Sequence, residues 1–373
     1  MSVALCMIVK NEHDNINECL DSLRGFYDIA FITDTGSTDD TVSLLEKRND
    51  VVLSHFDWID DFAAARNFNL QQVSSEYDWI LWCDADDKII DDHAHIKFRK
   101  YISDISDEFN SVDMPYVYSH SEHSNDNITP DFKYYRKRLF RNNAGSWRGF
   151  IHEYPHVPGN SLCVDDIIFH HFRDGDGSMN TKRNLRIFKK RLADIDGEDR
   201  ARYTFYYAKE LTYNGLYDEA EEQFLNYIPI SNWVPEKARA MYELAVLYSK
   251  RGLVDDARKW CFKCIQLEPH NSDAYVLLSN MSYDEDDYTS CYLWSYHALN
   301  SDDEKIKFFD FIPNRTWIPL ELMAWSKWKS NQYDEAISII SKALSYVPKN
   351  KYILKTLEHW LRERCQVQAI DIR

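Results

Sequence analysis

The sequence contains little glycine and proline and no long uninterrupted hydrophobic segment. Its 373 residues include only ten glycines and ten prolines, while 44% are hydrophobic and 14% are aromatic. This composition excludes collagen-like and broadly disordered proteins, because a chain so rich in aromatic side chains can bury a core. No apolar run approaches the roughly 20 residues that a membrane-spanning helix needs, so we expect no membrane insertion.

Other absent signals narrow the class of protein further. Residues 1–10 lack a basic start and a small-residue cleavage site, which predicts a first β-strand and a cytoplasmic protein. The chain also lacks the G-x-G-x-x-G turn and the G-x-x-x-x-G-K-[ST] loop. Their absence argues against a dinucleotide-dependent oxidoreductase and a P-loop NTPase. Cys261 and Cys264 lie in a helical pattern, where we expect core packing and not a zinc site.

Acidic residues exceed basic ones, but the excess is unevenly distributed. The net charge is −17; residues 1–131 carry a balance of −18, whereas residues 132–191 carry +8. A strongly acidic chain binds nucleic acid poorly, because affinity for phosphates depends on clustered lysine and arginine. The basic segment leaves two interpretations open, a solvated surface or a wall that faces phosphates.

The first half of the chain alternates apolar runs with amphipathic segments. The apolar runs, which predict strands, are 4–9, 29–33, 51–54 and 79–83. The segments between them, which predict helices, are 14–24, 41–48 and 62–73. Repeated βαβ units predict a mainly parallel, Rossmann-like sheet that is covered by helices.

Polar side chains stand directly after these predicted strands, where parallel sheets bind ligands. They are Asn11, Glu12, Asp34, Asp84, Asp86 and Asp87. Carboxylates at strand ends suit a hard cation such as Mg²⁺ or Mn²⁺ bound together with phosphate oxygens. Asp84-Ala85-Asp86 is the one Asp-x-Asp that directly follows an apolar strand, so we favour a metal role there over a solvated turn.

Four motifs together give a specific resemblance to a known family. They are Lys10-Asn11-Glu12, Asp34-Thr35-Gly36-Ser37-Thr38-Asp39-Asp40-Thr41, Ala65-Arg66-Asn67 and Asp84-Ala85-Asp86-Asp87. In this order and spacing, over residues 3 to about 90, the chain resembles family 2 glycosyltransferases of the GT-A fold.

The resemblance implies a nucleotide-sugar donor, with UDP-sugar favoured, and a divalent cation on its diphosphate. The residues that match donor-binding positions are Asn11, Glu12, Asp34, Gly36, Ser37, Arg66, Asp84, Ala85 and Arg148. Asp34 would lie near the base or ribose, and Asp84 and Asp86 would hold the Mn²⁺ or Mg²⁺.

A weaker similarity continues beyond these motifs to the branch of family 2 that carries C-terminal tetratricopeptide repeats, including bacterial peptide glycosyltransferases. It rests on 138–141, 147–153, the pair His170-His171 and 182–185. The similarity implies a general base in the second half of the domain, for which Glu153 is our candidate and Asp87 and His152 are alternatives. It also implies that His170, or else His171, completes the metal site. Cations that could face the departing phosphates are Arg136, Arg138, Arg148 and Lys182.

The second half of the chain is repetitive. The hexapeptide at 215–220 recurs at 252–257 and 331–336, and a degenerate copy at 286–291 divides the longer interval. The resulting spacings, including one of 34 residues, are typical of tetratricopeptide (TPR) helix pairs. We therefore predict a GT-A domain over 1–195 and an α-helical TPR-like solenoid over 196–373. Its concave surface could hold a peptide, hold a protein acceptor or form a homodimer.

Three functional hypotheses follow from the sequence. The first is a metal-dependent, inverting glycosyltransferase that acts on a hydroxyl or thiol of a peptide, protein or glycan. The second is a glycosyltransferase that modifies hydroxylated bases of phage DNA, with the basic segment meeting phosphates. The third is an inactive scaffold whose repeats bind partners.

Overall fold

The computed structural model describes residues 1–120, 130–172, 178–191, 197–302 and 309–371. Two compact units make up the chain. The first comprises Met1–Tyr118 and Tyr134–Asp199, and the second comprises Ser119–Lys133 and Arg200–Arg373. The functional division at 195/196 stays a prediction.

The first unit begins with alternating strands and helices, as predicted. These elements are β1 (Val3–Val9), α1 (Ile16–Ser22), β2 (Ile29–Asp34), α2 (Thr41–Leu45), β3 (Val51–His55), α3 (Phe62–Gln71) and β4 (Trp79–Trp82). The four strands lie in the order β3-β2-β1-β4, and every neighbouring pair is parallel. The carboxyl ends of β1, β2 and β4 therefore meet at one edge of the sheet.

The sheet continues through strands of mixed direction that sequence patterns did not predict. The elements of this part of the chain are β5 (Asp87–Lys88), α4 (Ala94–Asp104), β6 (Phe109–His120), β7 (Pro130–Arg141), β8 (Ser146–Arg148), β9 (Tyr154–His156), β10 (Asn160–Cys163), β11 (Phe169–His171) and α5 (Ser178–Arg191). Beyond β4 the order is β7-β6-β11-β5, with β7 antiparallel to β4 and β5 antiparallel to β11. β8 and β9 form a separate antiparallel pair.

The core of this unit lies on both faces of the sheet. Alternate residues of β1 point to opposite sides, as the two-residue period of a strand requires. Leu5 and Met7 are fully buried with helix α1 on one face, whereas Cys6 packs near Trp82 and Trp147 on the other. Burial on both faces explains why the strands read as continuous apolar runs.

The second unit is dominated by helices. They are α6 (Arg200–Tyr213), α7 (Tyr217–Ile230), α8 (Val234–Lys250), α9 (Val254–Leu267), α10 (Ser272–Asp284), α11 (Tyr288–Leu299), α12 (Trp317–Lys329), α13 (Tyr333–Tyr346) and α14 (Lys351–Asp371). A two-residue strand, β12 (Asp310–Phe311), pairs with Phe132 and Lys133. Within the described residues no helix combines the length and hydrophobicity that a bilayer crossing demands.

Helices α6 to α13 form four hairpins that share one type of turn. The second residue after the first helix of each hairpin has a positive φ: Gly215 (74°), Gly252 (74°), Asp286 (60°) and Asn331 (63°). The next N–H donates to the carbonyl five residues earlier in every hairpin, for example Leu253 to Tyr248 at 3.0 Å. This is the Schellman cap, which favours glycine or asparagine. The matching small residues Ala220, Ala257, Cys291 and Ala336 are fully buried. The predicted TPR-like solenoid is confirmed, and Cys261 and Cys264 lie buried in its core.

Candidate active site

The loops that follow β1 and β2 are tied together by hydrogen bonds. The Asn11 N–H donates to Ser37 Oγ at 2.9 Å, and the Thr38 N–H donates to Asn11 Oδ1 at 2.7 Å. The Glu12 N–H donates to Thr41 Oγ1 at 2.7 Å. Asn11 holds a positive φ of 58°, a conformation that asparagine tolerates better than most residues. The two predicted donor-binding loops thus form one connected surface beyond the sheet.

Asp34 braces its own loop. Its carboxylate accepts hydrogen bonds from the backbone N–H groups of Gly36 (2.9 Å) and Ser37 (3.1 Å), and His55 Nδ1 lies at 3.2 Å. Only 4% of Asp34 is exposed. Gly36 has a φ of 102°, a left-handed value that side chains disfavour. These contacts support a structural role for Asp34; its predicted contact with base or ribose stays a prediction.

Glu12 faces the acidic residues at the end of β4. Burial raises the pKa of Glu12, and the nearby charges of Asp86, Asp84 and Asp39 raise it further, to about 7. An excess of carboxylates in one place favours either protonation or a bound cation. A bound cation would relieve the repulsion among these carboxylates.

Asp86, Asp87 and His171 form the one group of metal-ligand side chains found in the described part of the chain. One ligand atom from each lies within 4.8 Å of the others, and His171 Nδ1 is 3.4 Å from Oδ1 of both aspartates. His171 Nδ1 is buried, and these two contacts are at ion-pair distance without the geometry of a hydrogen bond. Two carboxylates and an imidazole make a donor set suited to Mn²⁺, and a buried nitrogen that faces two carboxylates without an aligned hydrogen bond fits a ligand role.

The same contacts set the charge state of His171 when no cation is bound. Burial lowers the pKa of His171, but interaction with Asp86 and Asp87 outweighs burial, so the pKa rises to about 9. Because a bound cation requires the neutral imidazole, metal binding at this site would displace a proton.

The structure brings His171, and not the predicted His170, to the acidic cluster. Both belong to β11, where consecutive side chains point to opposite faces of the sheet. His170 is paired in register with Lys88 and is 7% exposed, with its ring 6.3 Å from that of Phe172. The two histidines therefore lie on opposite faces of the sheet.

Asp84 is engaged by two arginines and lies outside that cluster. Its Oδ1 accepts from Arg66 at 2.6 Å and its Oδ2 from Arg136 at 3.3 Å. Burial opposes ionisation of Asp84, but these guanidinium groups and Arg138 hold its pKa well below the usual range. Ala85, the residue between the two aspartates, is 5% exposed. The structure thus gives Asp84 the place of a counterion.

Asp87 is wholly buried. It accepts from Arg138 at 2.7 Å and from the Tyr116 hydroxyl at 3.0 Å, and Arg138 is also fully buried. A carboxylate in this position has no path to an acceptor, which leaves Asp87 a poor general base. No local pattern could have pointed to Tyr116 as its partner, because the two residues are 29 positions apart in sequence.

Glu153 is tied to the end of β4 through Arg66. Arg66 Nε donates to Glu153 Oε1 at 2.8 Å, while its terminal nitrogen holds Asp84. The Arg66 guanidinium lies against the rings of Trp82 (4.9 Å) and Trp147 (4.6 Å), which also contact each other. Glu153 keeps 14% of its side chain exposed. It is therefore neither an ordinary surface acid nor wholly buried.

The loop that carries Glu153 has unusual backbone geometry. Gly149 has a φ of 97°, and a Cβ there would lie 3.2 Å from the Glu153 Cα. His152 has a φ of 49°, and its ring lies 6.1 Å from Phe188 of α5. Arg148 ends β8 and is half-buried. Strained backbone of this kind is typical of functional loops.

Many cations of the basic segment are paired within the first unit. Arg136 and Arg138 hold Asp84 and Asp87, and Arg186 and Lys190 hold Asp60 at 2.7 and 3.1 Å. Further pairs join Arg141 to Asp107 and Arg191 to Asp61. Lys182 is exposed on α5. Many of the positive charges in this segment are therefore neutralised by carboxylates of the same unit. This weakens the interpretation of the segment as a surface that binds DNA phosphates.

Comparison with known proteins agrees with this geometry. Residues 4–153 match the sequence model of the family described as glycosyl transferase family 2. The match over residues 4–153, together with the TPR-like helical repeat that follows, confirms the predicted resemblance.

Curated relatives match parts of the chain. It is 28% identical over 228 residues to the SPbeta prophage-derived glycosyltransferase SunS of Bacillus subtilis, covering 58% of this chain and 50% of SunS. The glycosyltransferase SunS of Bacillus phage SPbeta gives the same figures. A TPR repeat-containing protein of Synechococcus elongatus is 41% identical over 88 residues, which is 24% of this chain and 21% of that protein. The chain thus spans half or less of the length of these relatives.

Solved structures with helical repeats give weak similarities. A crystal structure of MamA protein has a TM-score of 0.35 at 17% identity, covering 45% of this chain and 82% of that one. A tetratricopeptide repeat protein from Parabacteroides merdae has a TM-score of 0.40 at 11% identity, covering 51% and 71%. Scores this low carry no argument, so the repeat assignment rests on the four hairpins themselves.

Proposed function

We propose that the chain is a metal-dependent, inverting glycosyltransferase that uses a nucleoside diphosphate sugar, with UDP-sugar favoured. One observation carries the proposal: Asp86, Asp87 and the buried His171 Nδ1 lie together near the carboxyl ends of the strands of the first unit. The loops of Asn11, Glu12 and Ser37 lie at the same edge and would receive the nucleotide. The proposed acceptor is a hydroxyl or thiol of a peptide, protein or glycan.

Asp86, Asp87 and His171 would hold the cation. When bound, Mn²⁺ or Mg²⁺ supplies Lewis-acid stabilisation of negative charge on the departing diphosphate. The protein fixes this donor set from two directions, since β5 and β11 pair antiparallel and the buried Arg138 anchors Asp87. We keep Asp84 as the counterion that orients Arg66 and Arg136.

Glu153 is the proposed general base. In a single displacement, the acceptor oxygen or sulfur forms a bond to the anomeric carbon while the bond to the diphosphate oxygen breaks. The acceptor proton passes to a carboxylate oxygen of Glu153, a transfer worth roughly 10² to 10⁴ in rate. Of the candidates, Asp87 is enclosed and His152 lies against Phe188, so Glu153 is favoured.

Three further assignments are proposals from the sequence: a cytoplasmic location, a homodimer through the repeat domain, and the domain division at 195/196.

Hydroxylated DNA bases are the second candidate acceptor. The pairing of Arg136, Arg138, Arg186 and Lys190 with internal acids counts against them.

The test is slow hydrolysis of nucleotide sugars by the purified chain. We expect one donor of a panel to be hydrolysed with Mn²⁺, and Asp86→Ala to abolish that hydrolysis. Asp57→Asn is the matched control, because the Asp57 carboxylate is 99% exposed on the surface of the same domain. Turnover that persists in a chelator, or an Asp86→Ala variant as active as Asp57→Asn, would contradict the assignment.

A further inference from the structure

We propose that Arg66 is a positioning residue for Glu153 and not a ligand of the donor. This inference rests on the proposed function, because it takes Glu153 as the base. Sequence similarity places Arg66 among the donor-binding residues. The structure instead sets its guanidinium between two carboxylates of the protein, Glu153 at 2.8 Å and Asp84 at 2.6 Å.

The geometry of the guanidinium explains why an arginine is needed. Its planar fork can donate from Nε and from a terminal nitrogen in fixed and different directions. One direction meets Glu153, 87 residues later in the chain, and the other meets Asp84 at the end of β4. Glu153 Oε1 is thereby held at a fixed place relative to the strand that leads into the metal-binding residues. The other carboxylate oxygen is the one that would take the acceptor proton.

The surroundings of Arg66 keep it in this position. Its side chain is 7% exposed, and the rings of Trp82 and Trp147 lie 4.9 and 4.6 Å from the guanidinium carbon. Cation–π contacts of this kind strengthen when they are desolvated. In this buried position Nε and one terminal nitrogen already donate to carboxylates of the protein, which supports a role in holding them.

Helix α3 holds the loop of Glu153 at two further points. Asn67 donates from Nδ2 to the Trp147 carbonyl at 2.9 Å and accepts from the Trp147 N–H at 2.8 Å. The Phe62 N–H donates to the Phe150 carbonyl at 2.9 Å. The loop is therefore fixed to α3 along one side, and Arg66 adds the contact that orients the Glu153 carboxylate itself.

The experiment is a double-mutant cycle in the full chain. Arg66→Gln should lower kcat for transfer or donor hydrolysis by about 100-fold, within the range for loss of a general base. The KM for the donor should change by less than about twofold. Glu153→Gln should lower kcat by a similar factor, and adding Arg66→Gln to it should cost less than about threefold more, because coupled residues are not additive.

Arg66→Lys and Arg141→Gln complete the set. Lysine keeps the buried charge but reaches only one carboxylate, so we expect a folded protein with a kcat between wild type and Arg66→Gln. Arg141 also stacks on a tryptophan, Trp79, and pairs with a carboxylate, Asp107, but at the amino end of β4, away from the candidate site. Arg141→Gln should leave kcat unchanged.

Each alternative gives a different result. A rise in donor KM of tenfold or more in Arg66→Gln and Arg66→Lys would show donor binding and overturn the inference. An undiminished effect of Arg66→Gln in the Glu153→Gln background would show a general structural role and overturn it as well. Shifts in Tm test the contact between Arg66 and Glu153 independently of activity. Non-additive shifts for Arg66→Gln and Glu153→Gln support the contact, and additive shifts contradict it. No turnover by the wild-type chain with any donor would instead contradict the proposed function.

Discussion

The two units bury charged side chains in different arrangements. In the first unit Asp34, Arg66, Asp87 and Arg138 are at most 6% exposed, and all four lie at or beside the carboxyl ends of strands. In the second unit the buried acids Glu210, Glu236 and Asp273 fall one each on α6, α8 and α10. Buried charged side chains that come together in one place are typical of a functional site. Buried charges spaced at one per helix pair are typical of a repeat protein.

The partners of these charges differ in sequence separation. Glu236 accepts from Tyr227 at 2.8 Å, nine residues earlier, and Asp273 accepts from Arg239 at 2.7 Å, in the neighbouring hairpin. Arg138 reaches back 51 residues to Asp87, and Glu153 reaches back 87 residues to Arg66. The candidate site therefore forms only when the whole first unit is folded, while the repeat can build its contacts hairpin by hairpin.

The largest effect that tests this contrast is expected at Arg138. Arg138→Met leaves the fully buried Asp87 without its guanidinium partner and should lower the free energy of unfolding by about 3–5 kcal/mol. Urea denaturation measures the change. Arg138→Met combined with Asp87→Asn should recover part of it, since no buried charge then stays unpaired. In the repeat, Arg251→Met removes pairs with the exposed Asp218 and the partly exposed Glu221; both carboxylates keep access to water, so it should cost much less. Equal losses of unfolding free energy in Arg138→Met and Arg251→Met would contradict the proposed difference between the two units.

The next effect separates two adjacent histidines. His171→Ala should weaken Mn²⁺ binding by about 100-fold or more, since even outer-shell changes cost 10- to 100-fold. His170→Ala should leave it within about threefold, because that side chain points to the other face of the sheet. Titration calorimetry of both variants, after circular dichroism confirms their fold, gives the comparison. A larger loss for His170→Ala would restore the histidine predicted from the sequence and reject the cluster at His171.

A smaller effect concerns pH and the repeat. Burial raises the pKa of Glu321, on α12, from an ordinary value of 4.5 to about 7. Between those values the unfolded chain loses its proton and the folded chain keeps it, so stability falls as pH rises and stays reduced above about 7. Glu321→Gln should therefore stabilise the chain at pH 8, on the order of 1–2 kcal/mol, and make little difference at pH 4. Thermal melts at both pH values test this, and an equal gain at pH 4 would point to a cause other than ionisation.

The smallest effect is expected at the hairpin turns. Gly252→Ala forces a Cβ into the left-handed region and should cost about 1 kcal/mol. Asn331→Gly, at the equivalent turn, should be neutral or slightly stabilising for the same reason. Denaturation midpoints give both values, and a neutral Gly252→Ala would show that the turn conformation does not limit the repeat.

Sequence patterns predicted the parallel half of the sheet because β1, β2 and β4 are buried on both faces and read as apolar runs, while β3, at the edge, is short and partly exposed but still mostly apolar. They did not resolve β5 and β11, which have two and three residues and exist only through pairing with distant strands. The choice between His170 and His171 depends on the register of β11 against β5, which no local pattern contains. Motif spacing placed Arg66 in the site, but its partner Glu153 comes from a loop whose position depends on α3. The repeat was predictable in outline, because each hairpin repeats its own local turn and its small buried residue.

The shared hairpin turn also bears on how such a chain can change over generations. Because Gly215, Gly252, Asp286 and Asn331 close their hairpins in the same way, one hairpin can be duplicated or deleted at these points without a new kind of junction. A lineage could therefore lengthen or shorten the repeat in whole hairpins, whereas contacts in the first unit join residues up to 87 positions apart and tie its segments to one another.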